Sequence, residues 1–160
     1  MAENEINNCS LLTYAQNHAN MNSTCTKVKV GSLIISSDYI AVRGCNRGIA
    51  IKCTESGCNR VNLYGENSKL HRLPSDCASI HSEIDAICAA GKRGIPLENS
   101  VIFVTRYPCE ACARAICAAG MRKVVYGRKE KISQMTENMF KACNVEVIHV
   151  EDWDYEDDNR

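Results

Sequence analysis

"SVIFVTRYPCEACARAICAAGMRKVVYG" (residues 100–127) changes its apolar period twice within one stretch. "SVIFVT" (100–105) is an apolar run rich in β-branched and aromatic residues, the composition of a strand. "PCEACARAICAAG" (108–120) reads as a helix, with Pro108 near its start and Gly120 just past its end. "KVVYG" (123–127) returns to a strand. Strand, helix and strand in succession make a unit of an α/β fold.

The flanks extend that alternation. "VKVGSLIIS" (28–36) and "YIAVR" (39–43) form a hairpin about a Ser-Asp turn, and residues 9–20 make an amphipathic helix through Leu11, Leu12, Ala15 and Ala19. A helix runs from about residue 79 to near Gly91, another covers 131–143, and "VEVIHV" (145–150) is a final strand. Residues 44–78 are polar, cysteine-bearing and without periodicity. The expectation is one domain over 1–160: three layers, α/β/α, around a mixed five-stranded sheet.

With 160 residues, 45% of them hydrophobic, and scattered charge, the chain reads as a soluble globular protein. The first twenty residues lack a basic start followed by a long apolar run, and no stretch is long enough for a membrane span. A cytoplasmic protein that does not engage membranes is expected. The tail "EDWDYEDDNR" (151–160) holds six acids and one arginine, leaving 18 basic against 13 acidic groups before it. Such an excess suits a small phosphorylated ligand and argues against a nucleic-acid partner. The acidic tail itself reads as a frayed, solubilising end. The eleven cysteines, an odd number, are better explained by metal ligation plus buried thiols than by a disulfide framework.

Cys109 and Cys112 stand at i and i+3, which sets both sulfurs on one face of a helix's first turn, where the dipole favours thiolate. Alone, such a pair serves equally as a redox couple or half of a zinc ribbon. "IHSEIDAI" (80–87) offers the partners. Catalytic zinc takes three protein ligands and keeps a position for water, and His81 completes that set with the two thiolates. Glu83 would then stand beside the metal as proton shuttle. His81-Ser82-Glu83 followed by Pro108-Cys109-Glu110-Ala111-Cys112 matches the known signature of zinc nucleobase deaminases. The competing account is a helix cap and two unrelated thiols.

The likeness exceeds the zinc motif. "STCTKVKVGSLII" (23–35), "GCNRG" (44–48) and "IFVTRYPCEACARAICAAGMRKVVY" (102–126) resemble the opening strand, the G-Y-N-G loop and the V-T-x-x-P-C-x-x-C block of the deoxycytidylate (dCMP) deaminases, within the cytidine deaminase-like superfamily. Residues 23–150 carry the resemblance, which is nearest to the form found in bacterial competence operons. That form shares the Cys53-x4-Cys58 pair and a cysteine before the His-x-Glu helix, here Cys77.

The resemblance implies hydrolytic conversion of dCMP to dUMP and ammonia, with zinc-bound hydroxide as nucleophile. His81, Cys109 and Cys112 match the catalytic zinc ligands, Glu83 matches the proton shuttle, and Asn46 matches the asparagine that bonds the sugar hydroxyl. Arg47, Lys92 and Arg93 are candidate phosphate contacts, and Tyr107 either lines the pocket or packs. Similar enzymes are homo-oligomers, commonly hexamers, and many are regulated by dCTP and dTTP. Some carry a second, structural zinc, for which Cys25, Cys53, Cys58 and Cys77 are the candidates here, with His71 as a substitute ligand.

This sequence departs from the family pattern at four places. Cys45 stands where a tyrosine is usual, Arg47-Gly48-Ile49 replaces a G-x-P continuation, Ser82 replaces an alanine and Asp85 an asparagine. The loop departures leave open a deaminase of free cytidine or deoxycytidine, or of another amino-heterocycle. A tRNA adenosine deaminase would require a basic RNA-binding face. A non-catalytic zinc-binding interaction module is the alternative of another class, and Glu83 argues against it.

Overall fold

The alternation of apolar period becomes an alternation of elements in the computed structural model, which describes residues 2–66, 76–129, 132–153 and 155. In chain order these are α1 (Ala2–Asn22), β1 (Gly31–Ile35), β2 (Ala41–Cys45), β3 (Arg47–Gly48), α2 (Cys53–Ser56), α3 (Asn59–Tyr64), β4 (Ser79–Ile80), α4 (Ser82–Lys92), β5 (Val101–Arg106), α5 (Glu110–Ala118), β6 (Lys123–Arg128), α6 (Gln134–Ala142) and β7 (Glu146–His149). Five strands form one sheet in the order β2-β1-β5-β6-β7. β1 runs antiparallel to both β2 and β5, while β5-β6 and β6-β7 are parallel, so the sheet is mixed as expected.

Strand side chains alternate between two buried faces. Ile34, Ile102, Val104 and Val124 pack with Ala86 and Ala90 of α4, Ala113 and Ile116 of α5, and Phe140 of α6. Leu33, Phe103 and Val125 face the other way, against Leu12 and Ala15 of α1. That gives three layers, with α1 alone on one side of the sheet and α4, α5 and α6 on the other. Each buried Val, Leu, Ile or Phe contributes about 1.5–3 kcal/mol, and both layers draw on several.

Two glycines do specific work in this packing. A Cβ at Gly44 would collide with the Ser82 carbonyl oxygen and stand 2.5 Å from the Ala86 backbone nitrogen. α4 therefore lies against β2 with its first turn pressed to the sheet. Gly120, at φ +72°, ends α5 in the left-handed conformation, and Met121 N–H reaches back to the Ile116 carbonyl at 3.3 Å.

The structure adds elements where the sequence shows no period. β3 pairs with β4 in a separate two-stranded ladder, Arg47 opposite Ile80 and Gly48 opposite Ser79. α2 and α3 each end at a positive-φ glycine, Gly57 and Gly65, and together bury only Cys53, so they carry no apolar stripe. Of the tail expected to fray from residue 151, Trp153 and Tyr155 instead meet α1, while residues 154 and 156–160 lie outside the described residues. Trp153 is 7% exposed, and its Nε1 donates to Thr13 Oγ1 at 3.1 Å. Tyr155 hydroxyl donates to Asn17 Oδ1 and accepts from Asn20 Nδ2, again on α1. The indole and ring contacts outweigh the neighbouring Glu151 and Asp152, which are exposed. Among the described residues no helix is long and apolar enough to cross a membrane.

Candidate active site

His81 is the N-cap residue of α4 and Cys109 that of α5, so each stands where the chain leaves a strand and enters a helix. The His81 ring makes no capping bond. It turns instead toward α5, with Nδ1 3.4 Å from both the Cys109 and the Cys112 sulfurs. One imidazole nitrogen and two sulfurs converge within 4.8 Å, the only such group among the described residues. Cys112 is buried and the other two are exposed. The ring points at sulfur, not at the helix's own amides.

The charges of these groups are interlocked. The Cys109 thiol is pulled down to about 3, first by the hydrogen bond from Cys112 and then by that of His81. Donating that proton pushes the Cys112 thiol upward, and burial adds to it. The hydrogen bond to Cys109 raises His81 against the opposing effect of burial. Two soft thiolates and an imidazole are a donor set that fits zinc in a three-ligand catalytic site. Glu83 is 4% exposed and stands outside the converging donors, as the second residue of α4. Burial raises its carboxyl above the ordinary value, with its backbone amide and His81 pulling the other way.

Asn46 and Arg47 arrive beside the site through the β3-β4 ladder, which sets Arg47 opposite Ile80, the residue before His81. Asn46 Oδ1 accepts from Ser23 Oγ at 2.8 Å and from Val30 N–H at 2.9 Å, and its Nδ2 donates to the Val28 carbonyl. Three of its four bonding positions hold the chain over 23–30 in place, leaving one amide hydrogen. Arg47 is engaged with Asp85, its Nε at 3.0 Å and one terminal nitrogen at 2.7 Å from the same Oδ1. Asp85 Oδ2 accepts the Cys45 backbone N–H at 3.1 Å.

Two departures from the family pattern, Arg47 and Asp85, are therefore one feature. An added acid on α4 meets an added base on the loop. Sequence reading missed the pair, although the opposite charges at two altered positions were its visible sign. We predict that Asp85→Ala lowers stability by about 1–3 kcal/mol, because the buried Cys45 N–H loses its acceptor. Urea unfolding measures it, and a change within experimental error would show that the loop is held by other contacts.

Lys92 and Arg93 do not meet the site. They lie at the far end of α4, about 16 Å of helix from His81 at 1.5 Å per residue. Tyr107 packs: it is 8% exposed, edge-on to Tyr126 at 4.8 Å and to Phe140 at 6.5 Å. Cys25, Cys58 and Cys77 gather near Cys53, whose thiol is pushed up by burial first and by their charges next. Their sulfurs do not converge as those of Cys109 and Cys112 do. His71 lies outside the described residues.

The model of the cytidine and deoxycytidylate deaminase zinc-binding region matches residues 6–128. ComE operon protein 2 of Bacillus subtilis (strain 168) is 31% identical over 141 residues, covering 86% of this chain and 68% of that protein. The deoxycytidylate deaminase of Enterobacteria phage T2 is 31% identical over 101 residues, covering 62% of this chain and 54% of the phage protein. The matched region thus spans about half the phage enzyme's length. Among solved structures, the dCMP deaminase of cyanophage S-TIM5 in complex with dCMP and dUMP superposes with a TM-score of 0.64 at 21% identity, over 88% of this chain and 93% of that one. The matched residues hold four of the five sheet strands and the converging His81, Cys109 and Cys112, and the chain belongs to the zinc-binding family of cytidine and deoxycytidylate deaminases.

Proposed function

We propose that this protein converts dCMP and water to dUMP and ammonia. The observation that carries the reading is the convergence of His81 Nδ1 on the sulfurs of Cys109 and Cys112, with the buried Glu83 carboxylate close behind them. His81, Cys109 and Cys112 would hold zinc, which when bound supplies a Lewis acid that makes water nucleophilic near neutral pH.

The chain's own part is proton movement. Glu83 accepts a proton from the attacking water, delivers it to the ring nitrogen beside the amino-bearing carbon, then takes the remaining hydroxyl proton to the leaving amine. Its burial suits both directions, because a carboxyl held above its ordinary value gives and takes protons more evenly. The last amide hydrogen of Asn46 is available to a sugar hydroxyl. The Arg47 side chain, 38% exposed while bonded to Asp85, is available to a phosphate.

The same reading includes a homo-oligomer, hexameric as in similar enzymes, with dCTP and dTTP as effectors. It also includes a cytoplasmic location, which suits eleven free thiols. A second zinc near Cys53 belongs to it as well, and two zinc ions per chain by metal analysis would support that site. The deciding experiment follows ammonia and uracil-product release from zinc-loaded protein across cytidine, deoxycytidine, CMP, dCMP and dCTP. Selective turnover of dCMP is expected. Preference for a nucleoside overturns the nucleotide assignment, and silence on every cytosine compound, with and without dCTP, overturns the deaminase reading.

A further inference from the structure

We propose that Ser82, itself held by Ser32, is a positioning residue that locks the orientation of the Glu83 carboxylate by occupying one of its oxygens. The inference rests on the deaminase reading and deepens it. Ser82 Oγ donates to Glu83 Oε2 at 3.1 Å, and Ser32 Oγ lies 2.6 Å from Ser82 Oγ. All three side chains are sealed from water: Ser32 is 0% exposed, Ser82 1% and Glu83 4%.

A serine hydroxyl owns one hydrogen. Since Ser82 gives its hydrogen to Glu83, the Ser32–Ser82 bond must be donated by Ser32. The chain of hydroxyls in that arrangement runs from β1 through the first turn of α4 to the carboxylate. Donors aligned in one direction polarise one another and strengthen the last bond. Oε2 is then held as an acceptor, which fixes the plane of the carboxylate. A shuttle that serves water, ring nitrogen and amine in turn gains from a carboxylate that does not swing between them.

The packing that produces this chain is specific. Ser32 pairs with Gly44 across the β1-β2 ladder, and the absence of a side chain at Gly44 lets the Ser82 turn approach the sheet. That approach brings the two hydroxyls together. An unpaired hydroxyl in so closed a place would be costly, so the two serines form a matched pair.

The test compares Ser82→Ala, Ser32→Ala and the double variant S32A/S82A with wild type, all as zinc-loaded full chains turning over dCMP. Ser82→Ala is expected to lower kcat about tenfold with KM and zinc content unchanged, the size expected from one hydrogen bond to a charged group. The double variant should lose no more than Ser82→Ala alone, because Ser32 acts only through Ser82. It also removes the stranded hydroxyl, so it reports even where the single variant folds poorly. A Ser82→Ala or double-variant kcat equal to that of an active wild type overturns the positioning role and leaves the deaminase reading intact. Equal losses in kcat and zinc content overturn it too, by showing a structural role. A wild type inactive on all cytosine compounds overturns both.

Discussion

Glu83→Gln leaves a protein that folds and binds zinc but turns over about 10³- to 10⁴-fold more slowly, the range seen when an acid-base group is removed. Glutamine keeps the shape, and its amide oxygen still accepts the Ser82 hydroxyl at the Oε2 position. What it lacks is a place for a travelling proton. KM should change little, since the carboxylate's work is done between ground state and transition state and not in holding the nucleotide. Stability gives an independent reading. Glu83 is buried and its carboxyl is raised by that burial, so a charge there opposes folding, and a neutral amide relieves the cost. The thermal midpoint of Glu83→Gln is therefore expected at or above that of wild type. A variant that keeps more than a tenth of wild-type kcat would remove Glu83 from the proton pathway. A large rise in KM with kcat preserved would assign it to binding.

The two halves of the site were legible in the sequence for different reasons. Pro108 and Gly120 bracket α5, so the phase of Cys109 and Cys112 on its first turn could be read directly. His81 was placed by motif, and only the structure shows that it caps α4 in position while its ring points to α5. Ser82 and Asp85 look like conservative changes in a string of letters. In the fold, each meets a partner far away in sequence, Ser32 on β1 and Arg47 on β3. A periodicity reads the face of one element, and a reciprocal pair between two elements leaves no period in either. The same holds for Trp153, whose acidic neighbours predict solvent and whose ring is drawn to Thr13 on α1 and lies 5.7 Å beneath the Arg128 guanidinium. α2 and α3 escaped for the opposite reason: short helices that bury one cysteine have no stripe to show.

Removing the metal should abolish activity reversibly in the wild type, whereas Cys112→Ser should be inactive with or without added zinc. A chelator strips wild-type protein of zinc and of turnover, and added zinc restores both. Cys112 is 1% exposed and its sulfur stands 3.4 Å from His81 Nδ1, so the serine variant loses a buried soft ligand. Two remaining ligands hold zinc weakly, and activity should stay at background after zinc is returned. Acid adds a second line of test. Zinc requires both thiolates and a neutral imidazole. Cys109, pulled down to about 3, brings no proton to be displaced near neutrality, whereas Cys112 and His81 are both raised and must give theirs up. Affinity should therefore fall steadily as pH drops below neutral, and zinc uptake by the stripped protein should release protons measurable by calorimetry in buffers of different ionisation enthalpy. Bound zinc also stabilises the fold by mass action, about 2.7 kcal/mol at a hundred times Kd, which a melting curve resolves. Full zinc content together with wild-type turnover in Cys112→Ser would show that the metal sits elsewhere, and the three converging donors would then be a thiol–imidazole hydrogen-bond network of the core.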